Sequence, residues 1–257
     1  MTTIAIIPAR YGSVRFAGKP LVDLAGKPLI AHVVDRAREA KRVDDVIVAT
    51  DDERIARAVQ AHGARAVMTS ADCPSGTDRI AEVAAALPDA RIIVNVQGDE
   101  PLMPPDVIDR AVEALESDPD CAVSTAMIRL TSEADFLSPN VVKVVCDYAG
   151  RALYFSRSPV PNLSRASQED LGFIAGKPRD RAFWGFKHFG LYVYRREALL
   201  RFVELAPSSL ERVEKLEQLR FLENGMSIRV IETAHDSIGV DTPEDLEEAR
   251  RILSGRV

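Results

Sequence analysis

The sequence predicts an α/β fold, a Rossmann-like mixed and mostly parallel sheet with helices on both faces. Three observations lead there. Short apolar runs alternate with helical patterns through the N-terminal half, the signature of a parallel sheet wrapped by its own connections. From Cys121 onward strand-like runs follow one another directly, so the sheet turns mixed. The length, 257 residues, suits one large α/β domain.

Taken in order, "TIAIIPA" reads as a strand and "PLIAHVVDRAREA" as a helix. "DVIVAT" is the next strand and "DERIARAVQAHG" the next helix, with Asp52 as its N-cap and Gly63 as its C-terminal stop. "ARAVMT", "TDRIAEVAAAL", "RIIVNV" and "PDVIDRAVEALES" continue the alternation. "AVSTAMIRL", "VVKVVCD" and "ALYFS" are the strands of the second half. An irregular stretch over about 157–182 follows, holding Pro159, Pro161, Gly172, Gly176 and Pro178. A loop of that length is uncommon unless it is a lid, an interface or disordered. The strand "FWGFKHFGLYVYR", two helices, the strand "SIRVIE" and a last helix from Pro243 complete the chain. The expected organisation is a single domain over 1–257, with 121–195 as a mixed-strand portion for substrate or dimerisation.

A net charge of −6 argues against a nucleic-acid surface and against an anionic membrane. No apolar run reaches the length of a membrane span, and the N-terminus carries no basic leader with a cleavage site. Cys73, Cys121 and Cys146 are odd in number and far apart, which suits reduced thiols in the cytoplasm. The four histidines are scattered, so no zinc site is expected.

The stretch "IAIIPARYGSVRFAGKPL" resembles a phosphate loop, but the spacing of a P-loop is absent. Gly12 and Gly18 are separated by five residues, and Pro20 stands where a P-loop needs a hydroxyl. The dinucleotide pattern G-x-G-x-x-G fails too. Proline also disfavours a helical Lys19, so the cations Arg10, Arg15 and Lys19 are expected on an extended chain. The first acidic residue is Asp23, although acids occupy 39 of 257 positions, which suits a cationic site as well as a buried strand.

In open parallel sheets, ligands bind beyond the carboxyl ends of the strands. "RIIVNV" breaks into "QGDEPL", so Asp99 and Glu100 are expected at the same edge as Arg10, Arg15 and Lys19. Carboxylates beside a phosphate-binding loop act through a metal, and magnesium takes one or two of them with phosphate oxygens and water. Asp99 could equally be a turn residue before Pro101. In "GVDTPEDL", Thr242, Pro243 and Asp245 already start a helix as cap, N1 and N3. That leaves Asp241 as a spare carboxylate, or as a partner for the helix dipole.

Alternation in "FWGFKHFGLYVYR" puts His188 and Tyr192 on one face, roughly 13 Å apart, where they could bracket a polar ligand or serve as satisfied core groups. "LERVEKLEQLRFLE" reads as one helix, apolar nearly all round and therefore buried. Glu214, Glu217 and Gln218 then share a polar sector that needs partners, and Arg157 is a candidate cation.

Together "IIPARYGSVRFAGKPL", "IVATDDERI", "SGTDRIAEV", "VNVQGDEPL", "ALYFSRSPVP", "KHFGLYVYR", "VEKLEQLR" and "GVDTPEDLEEAR" resemble the CMP-Kdo synthetase (3-deoxy-manno-octulosonate cytidylyltransferase) family. The match runs from Ile4 to Arg250 with the motifs in order. It implies the nucleotide-diphospho-sugar transferase type of fold and a reaction of CTP with the acidic sugar Kdo. CMP-Kdo and pyrophosphate result, with Mg2+ as cofactor, in a step toward lipopolysaccharide. By matching motif, Arg10, Ser13, Arg15 and Lys19 would hold the triphosphate, and Gly76 and Arg79 would lie near the base. Gln97 would serve nucleotide and sugar, and Asp99 and Asp241 the metal. Lys19, Arg10, Asp99 and Asp241 make up the implied catalytic set. Arg157, His188, Tyr192, Glu217 and Gln218 would line the sugar pocket. A cytoplasmic homodimer is also implied. Ala17 and Gly12 depart from the family's usual proline and frequent alanine, which loosens the loop by about 0.4–1 kcal/mol of chain entropy each. Rival readings are activation of another acidic sugar (8-amino-Kdo or a sialic acid), a glycosyltransferase, or a non-catalytic nucleotide sensor.

Overall fold

The computed structural model describes residues 2–12, 16–165 and 184–255. Ser13 and Arg15 lie outside the described residues, as does 166–183, most of the expected long loop.

The chain divides into two compact units. The first comprises Met1–Val112, Leu191–Glu204 and Ser237–Val257. Its strands are β1 (Thr2–Ala9), β4 (Asp45–Thr50), β5 (Arg65–Met68) and β6 (Ala90–Asn95), joined by the end of β10 (Gly185–Arg195). Their order is β10-β6-β1-β4-β5. β1 runs parallel to β6 and to β4, and β4 runs parallel to β5. β10 alone is antiparallel there, pairing Tyr192 with Asn95. A small hairpin of β2 (Asp23–Leu24) and β3 (Lys27–Pro28) follows the first loop.

The central strand explains why this sheet forms. Ala5, Ile6 and Ile7 are wholly buried. Such a run, apolar on both faces, is what a parallel strand between covered faces requires, each isoleucine contributing about 1.5–3 kcal/mol. Helix α1 (Leu29–Arg38) buries Leu29, Ile30, Val33, Val34 and Ala37 at helical spacing, and its first turns bury Ala31 and His32 as well. Helix α2 (Glu53–Ala61) begins where the Arg54 N–H donates to Asp52 Oδ1 at 2.8 Å. It stops at Gly63, whose φ of +73° is the left-handed conformation glycine tolerates best. Helix α3 (Gly76–Ala85) is capped by the side chain of Ser75. Because β1, β4, β5 and β6 are parallel, their carboxyl ends share one edge, which delivers Arg10, Asp51, Thr69 and Gln97 to the same side.

The second unit comprises Glu113–Gly190 and Leu205–Asp236. β7 (Cys121–Leu130) pairs in parallel with β11 (Ser227–Thr233). β8 (Lys143–Cys146) is antiparallel to β9 (Ala152–Ser156) and to the start of β10. The mixed, mostly parallel sheet expected from the sequence is therefore present.

Two expectations need correction. "LERVEKLEQLRFLE" is not one buried helix. It forms two short helices, Ser209–Glu214 and Leu219–Glu223, broken where Lys215 adopts φ 57°. Val213 is 79% and Leu210 38% exposed, so the apolar circumference faces solvent in part. The single sector drawn for Glu214, Glu217 and Gln218 disappears with the helix. Second, Lys19 is not extended. Residues Lys19–Leu21 make a 3-10 turn after a left-handed Gly18 at φ 72°. Pro20 fits because its fixed φ suits a first helical turn, where its missing N–H has no partner to lose.

Candidate active site

The first unit builds a site at the carboxyl edge of its sheet. β1 ends at Ala9, leaving Arg10 exposed. The loop then closes on itself, the Gly18 N–H donating to the Tyr11 carbonyl at 3.0 Å. A Cβ at Gly18 would meet the Tyr11 ring at 3.1 Å and push it by a few tenths of an ångström, and the positive φ favours glycine there in any case. Arg54 covers that ring, its guanidinium carbon 3.4 Å from the centroid. Asp52 grips the same arginine through Nε at 3.0 Å and Nη2 at 2.6 Å. The Arg54 hydrogen bonds hold the Asp52 carboxyl down at about 2.

The 3-10 turn aims Lys19 inward, where it is only 8% exposed. Its ammonium donates to Asp99 Oδ2 at 2.9 Å and to Asp241 Oδ1 at 3.0 Å. These carboxylates are 142 positions apart in the chain, yet they meet at one nitrogen. Two supports fix them. The Val240 N–H donates to the Asp99 carbonyl at 2.8 Å, fastening the two segments together. Asp245 Oδ2 accepts the N–H of Asp241 at 3.0 Å and of Thr242 at 2.8 Å, the capping box of the last helix, Pro243–Leu253. Burial works against ionised Asp245, but these backbone donors outweigh it and its pKa falls. Gly98, just before Asp99, is packed on β1 so closely that a Cβ would lie 2.5 Å from the Pro8 carbonyl oxygen.

Asp99 and Asp241 together fit a magnesium site of the kind completed by phosphate and water. Among the described residues no cluster of three or more His, Cys, Asp or Glu could hold a metal alone. Gln97 and Gly76 lie on the same edge, and a Cβ added at Gly76 would lie 3.5 Å from the Pro8 ring. Arg79 is buried, and it donates to Asp51 Oδ2 at 2.8 Å and to the Thr69 hydroxyl. It ties the exit of β4 to that of β5. Asp51, Tyr11 and Arg54 were not singled out as site residues from the sequence; "IVATDDERI" served there as a family motif and Asp52 as a helix cap.

The second unit places the remaining residues. The Arg157 N–H donates to Glu214 Oε2 at 2.8 Å. Its guanidinium donates to the carbonyls of Glu214 at 2.9 Å and Pro139 at 3.1 Å. Glu214 also accepts from Ser156 Oγ at 2.7 Å and Tyr154 Oη at 3.3 Å. Burial pushes its pKa up, these donors pull it down more strongly, and the result is a lowered value. Lys143, wholly buried and missed in the sequence, donates to the carbonyls of Ser138, Val141 and Arg157 at 2.8, 2.6 and 2.6 Å. His188 Nε2 lies 2.8 Å from Thr125 Oγ1 and its ring meets Phe155 edge-on at 5.1 Å. Desolvation holds its pKa down at about 3, so it is a neutral hydrogen-bonding ring. Gln218 is buried and Glu217 half-buried in the second unit. Tyr192, in the first unit, stacks on Tyr194 at 5.9 Å.

A family model described as cytidylyltransferase matches residues 4–228. A 3-deoxy-manno-octulosonate cytidylyltransferase of Geobacter metallireducens is 56% identical over 257 residues, covering 99% of this chain and 98% of the relative. The chain belongs to that family. Another member, from Thermodesulfovibrio yellowstonii, is 48% identical over 261 residues and 99% of both chains. Among solved structures, a CMP:2-keto-3-deoxy-manno-octonic acid synthetase complexed with CTP is 41% identical, superposes with a TM-score of 0.90 and covers 100% of both chains. A Leptospira borgpetersenii cytidylyltransferase, at 16% identity and TM-score 0.62 over 99% of this chain and 87% of its own, shares the fold alone.

Proposed function

We propose that this chain joins CTP to Kdo, releasing pyrophosphate and forming CMP-Kdo. The observation that carries the reading is the meeting of Asp99 and Asp241 at the Lys19 ammonium, 2.9 and 3.0 Å away. Family membership over nearly the whole length and the similar structure's CTP complex support it.

The reaction is an in-line displacement: the sugar's anomeric hydroxyl attacks the α-phosphorus and the bond to the pyrophosphate oxygen breaks. Such chemistry asks the protein mainly for positioning and for charge placed where charge develops. Lys19 and Arg10, with Ser13 and Arg15, bind the triphosphate; Gly76 and Arg79 border the base, and Gln97 faces nucleotide and sugar. Asp99 and Asp241 hold Mg2+, which when bound neutralises charge on the phosphates. Arg157, His188, Tyr192, Glu217 and Gln218 take the sugar. Arg157 spends two donors on carbonyls and has others for a carboxylate, since a guanidinium carries five N–H groups. Neutral His188 orients hydroxyls without adding charge.

A cytoplasmic homodimer belongs to the same reading. No helix among the described residues is long and apolar enough to cross a membrane. Light scattering tests the dimer. The reaction itself is tested by offering CTP, UTP and ATP with Kdo or a sialic acid and measuring pyrophosphate. Release with CTP and Kdo is expected; none with that pair, or faster release with a sialic acid, overturns the assignment.

A further inference from the structure

Lys19 stands where a metal held by Asp99 and Asp241 would have to come. We propose that its ammonium is a resident counter-ion that keeps divalent metal off these carboxylates until a nucleotide triphosphate draws it away, so that metal and nucleotide enter together. The inference rests on the metal reading of Asp99 and Asp241 given above.

Three features point to it. The ammonium contacts both carboxylates at hydrogen-bonding distance, 2.9 and 3.0 Å, and is screened from solvent. Its position is built in. Gly18 at φ 72° sets the turn, and the N–H groups of Leu21 and Val22 donate to the carbonyls of Gly18 and Lys19 at 2.9 and 3.1 Å. The carboxylates are braced as well, through the Val240 N–H on the Asp99 carbonyl and through Asp245 on the Asp241 N–H.

The charge balance then decides the order of events. A divalent ion arriving alone meets a like-charged ammonium at the same two carboxylates. Among the described residues no third histidine, cysteine or carboxylate is placed to hold a metal with them, and the carboxylate next to them, Asp245, is committed to the N–H groups of Asp241 and Thr242. Magnesium also gives up water reluctantly and needs further oxygens. A triphosphate changes both conditions, because its oxygens accept the ammonium and at the same time complete the metal's coordination. Coupling of this kind is reciprocal: metal must tighten nucleotide by the factor by which nucleotide tightens metal.

The test uses Mn2+ as the probe, counted by electron paramagnetic resonance on the intact chain without nucleotide. Lys19→Met is expected to bind Mn2+ about tenfold or more tighter than the unaltered chain, and Asp99→Asn in that background to abolish the gain. A lysine that merely supports the fold would leave affinity equal or lower, and that result overturns the proposal. If Asp99→Asn also leaves metal-dependent turnover intact, the metal assignment falls with it; if turnover is lost, only the counter-ion role falls. Should Lys19→Met fold poorly by near-ultraviolet dichroism, the unaltered chain labelled at lysine 15Nζ gives the answer. Inorganic triphosphate alone must shift the Lys19 resonance, and Mg2+ alone at millimolar concentration must not; an equal shift with Mg2+ alone overturns the proposal.

Discussion

Replacing Lys143 by methionine removes a charge without emptying the space its stem fills. The side chain is wholly buried and its ammonium serves the carbonyls of Ser138, Val141 and Arg157 at 2.8, 2.6 and 2.6 Å. Each buried acceptor left without a donor costs about 1–3 kcal/mol, so the orphaned carbonyls together cost about 3–9 kcal/mol. Against this, the folded state no longer has to desolvate an ammonium, a relief of several kcal/mol. The same desolvation lowers the Lys143 pKa. The net expectation is a loss of about 3 kcal/mol from the second unit. The sole tryptophan, Trp184, reports on that unit, since its backbone N–H donates to the Leu130 carbonyl at 2.9 Å and its ring centroid lies 6.1 Å from that of Phe136. In urea at a slope of about 2 kcal/mol per molar, the fluorescence midpoint should fall by about 1.5 M. A midpoint within about 0.3 M of the unaltered protein would refute the claim that this lysine holds three carbonyls together.

Gly98→Ala should cost about 1–3 kcal/mol and depress turnover severely, because the new Cβ would sit 2.5 Å from the Pro8 carbonyl oxygen and push Asp99 from Lys19; normal turnover would show that the strand ends part harmlessly. His188, held down at about 3, takes up no proton in the fold between its ordinary pKa of 6.5 and that value, while the unfolded chain does. Stability linked to it is therefore complete above pH 6.5 and lost as pH falls, about 1.4 kcal/mol between pH 7.5 and 5.5. Denaturation of His188→Gln should lack that share of the slope, and equal slopes would refute it. Asp52→Ala removes a helix cap and the grip on Arg54, so a loss of about 1 kcal/mol is expected at neutral pH. With the Asp52 carboxyl depressed to about 2, the difference should vanish as pH falls from about 4 toward 2.

The N-terminal alternation of strand and helix was legible because each element carries its own periodicity and stop signals; Asp52 and Gly63 cap helix α2 as their residue types require. The place of Asp99 followed from a rule about strand ends, whereas its pairing with Asp241 was implied only by the family resemblance, since no strand leads into Asp241. Lys143 was illegible for the opposite reason. In "VVKVVCD" it looks like an ordinary strand lysine, and the carbonyls that hold it belong to the 138–141 turn and to Arg157. The break at Lys215 also lacks a signal, since neither glycine nor proline marks it. Only the tertiary demand that Glu214 reach Ser156, Tyr154 and Arg157 makes sense of stopping a helix there. Tyr11 and Arg54 meet face to face because a loop and a helix start share the carboxyl edge, which no spacing in the sequence announces.

The most direct test of the account is pyrophosphate release from CTP and Kdo by Asp99→Asn and by Asp241→Asn, alongside their thermal unfolding. Both residues are partly open to solvent, with side chains 34% and 40% exposed, so each variant should fold much as before. Turnover should fall by about a hundredfold or more in both. Full magnesium-dependent activity in either variant would contradict the idea that these two remote carboxylates work together on one nucleotide.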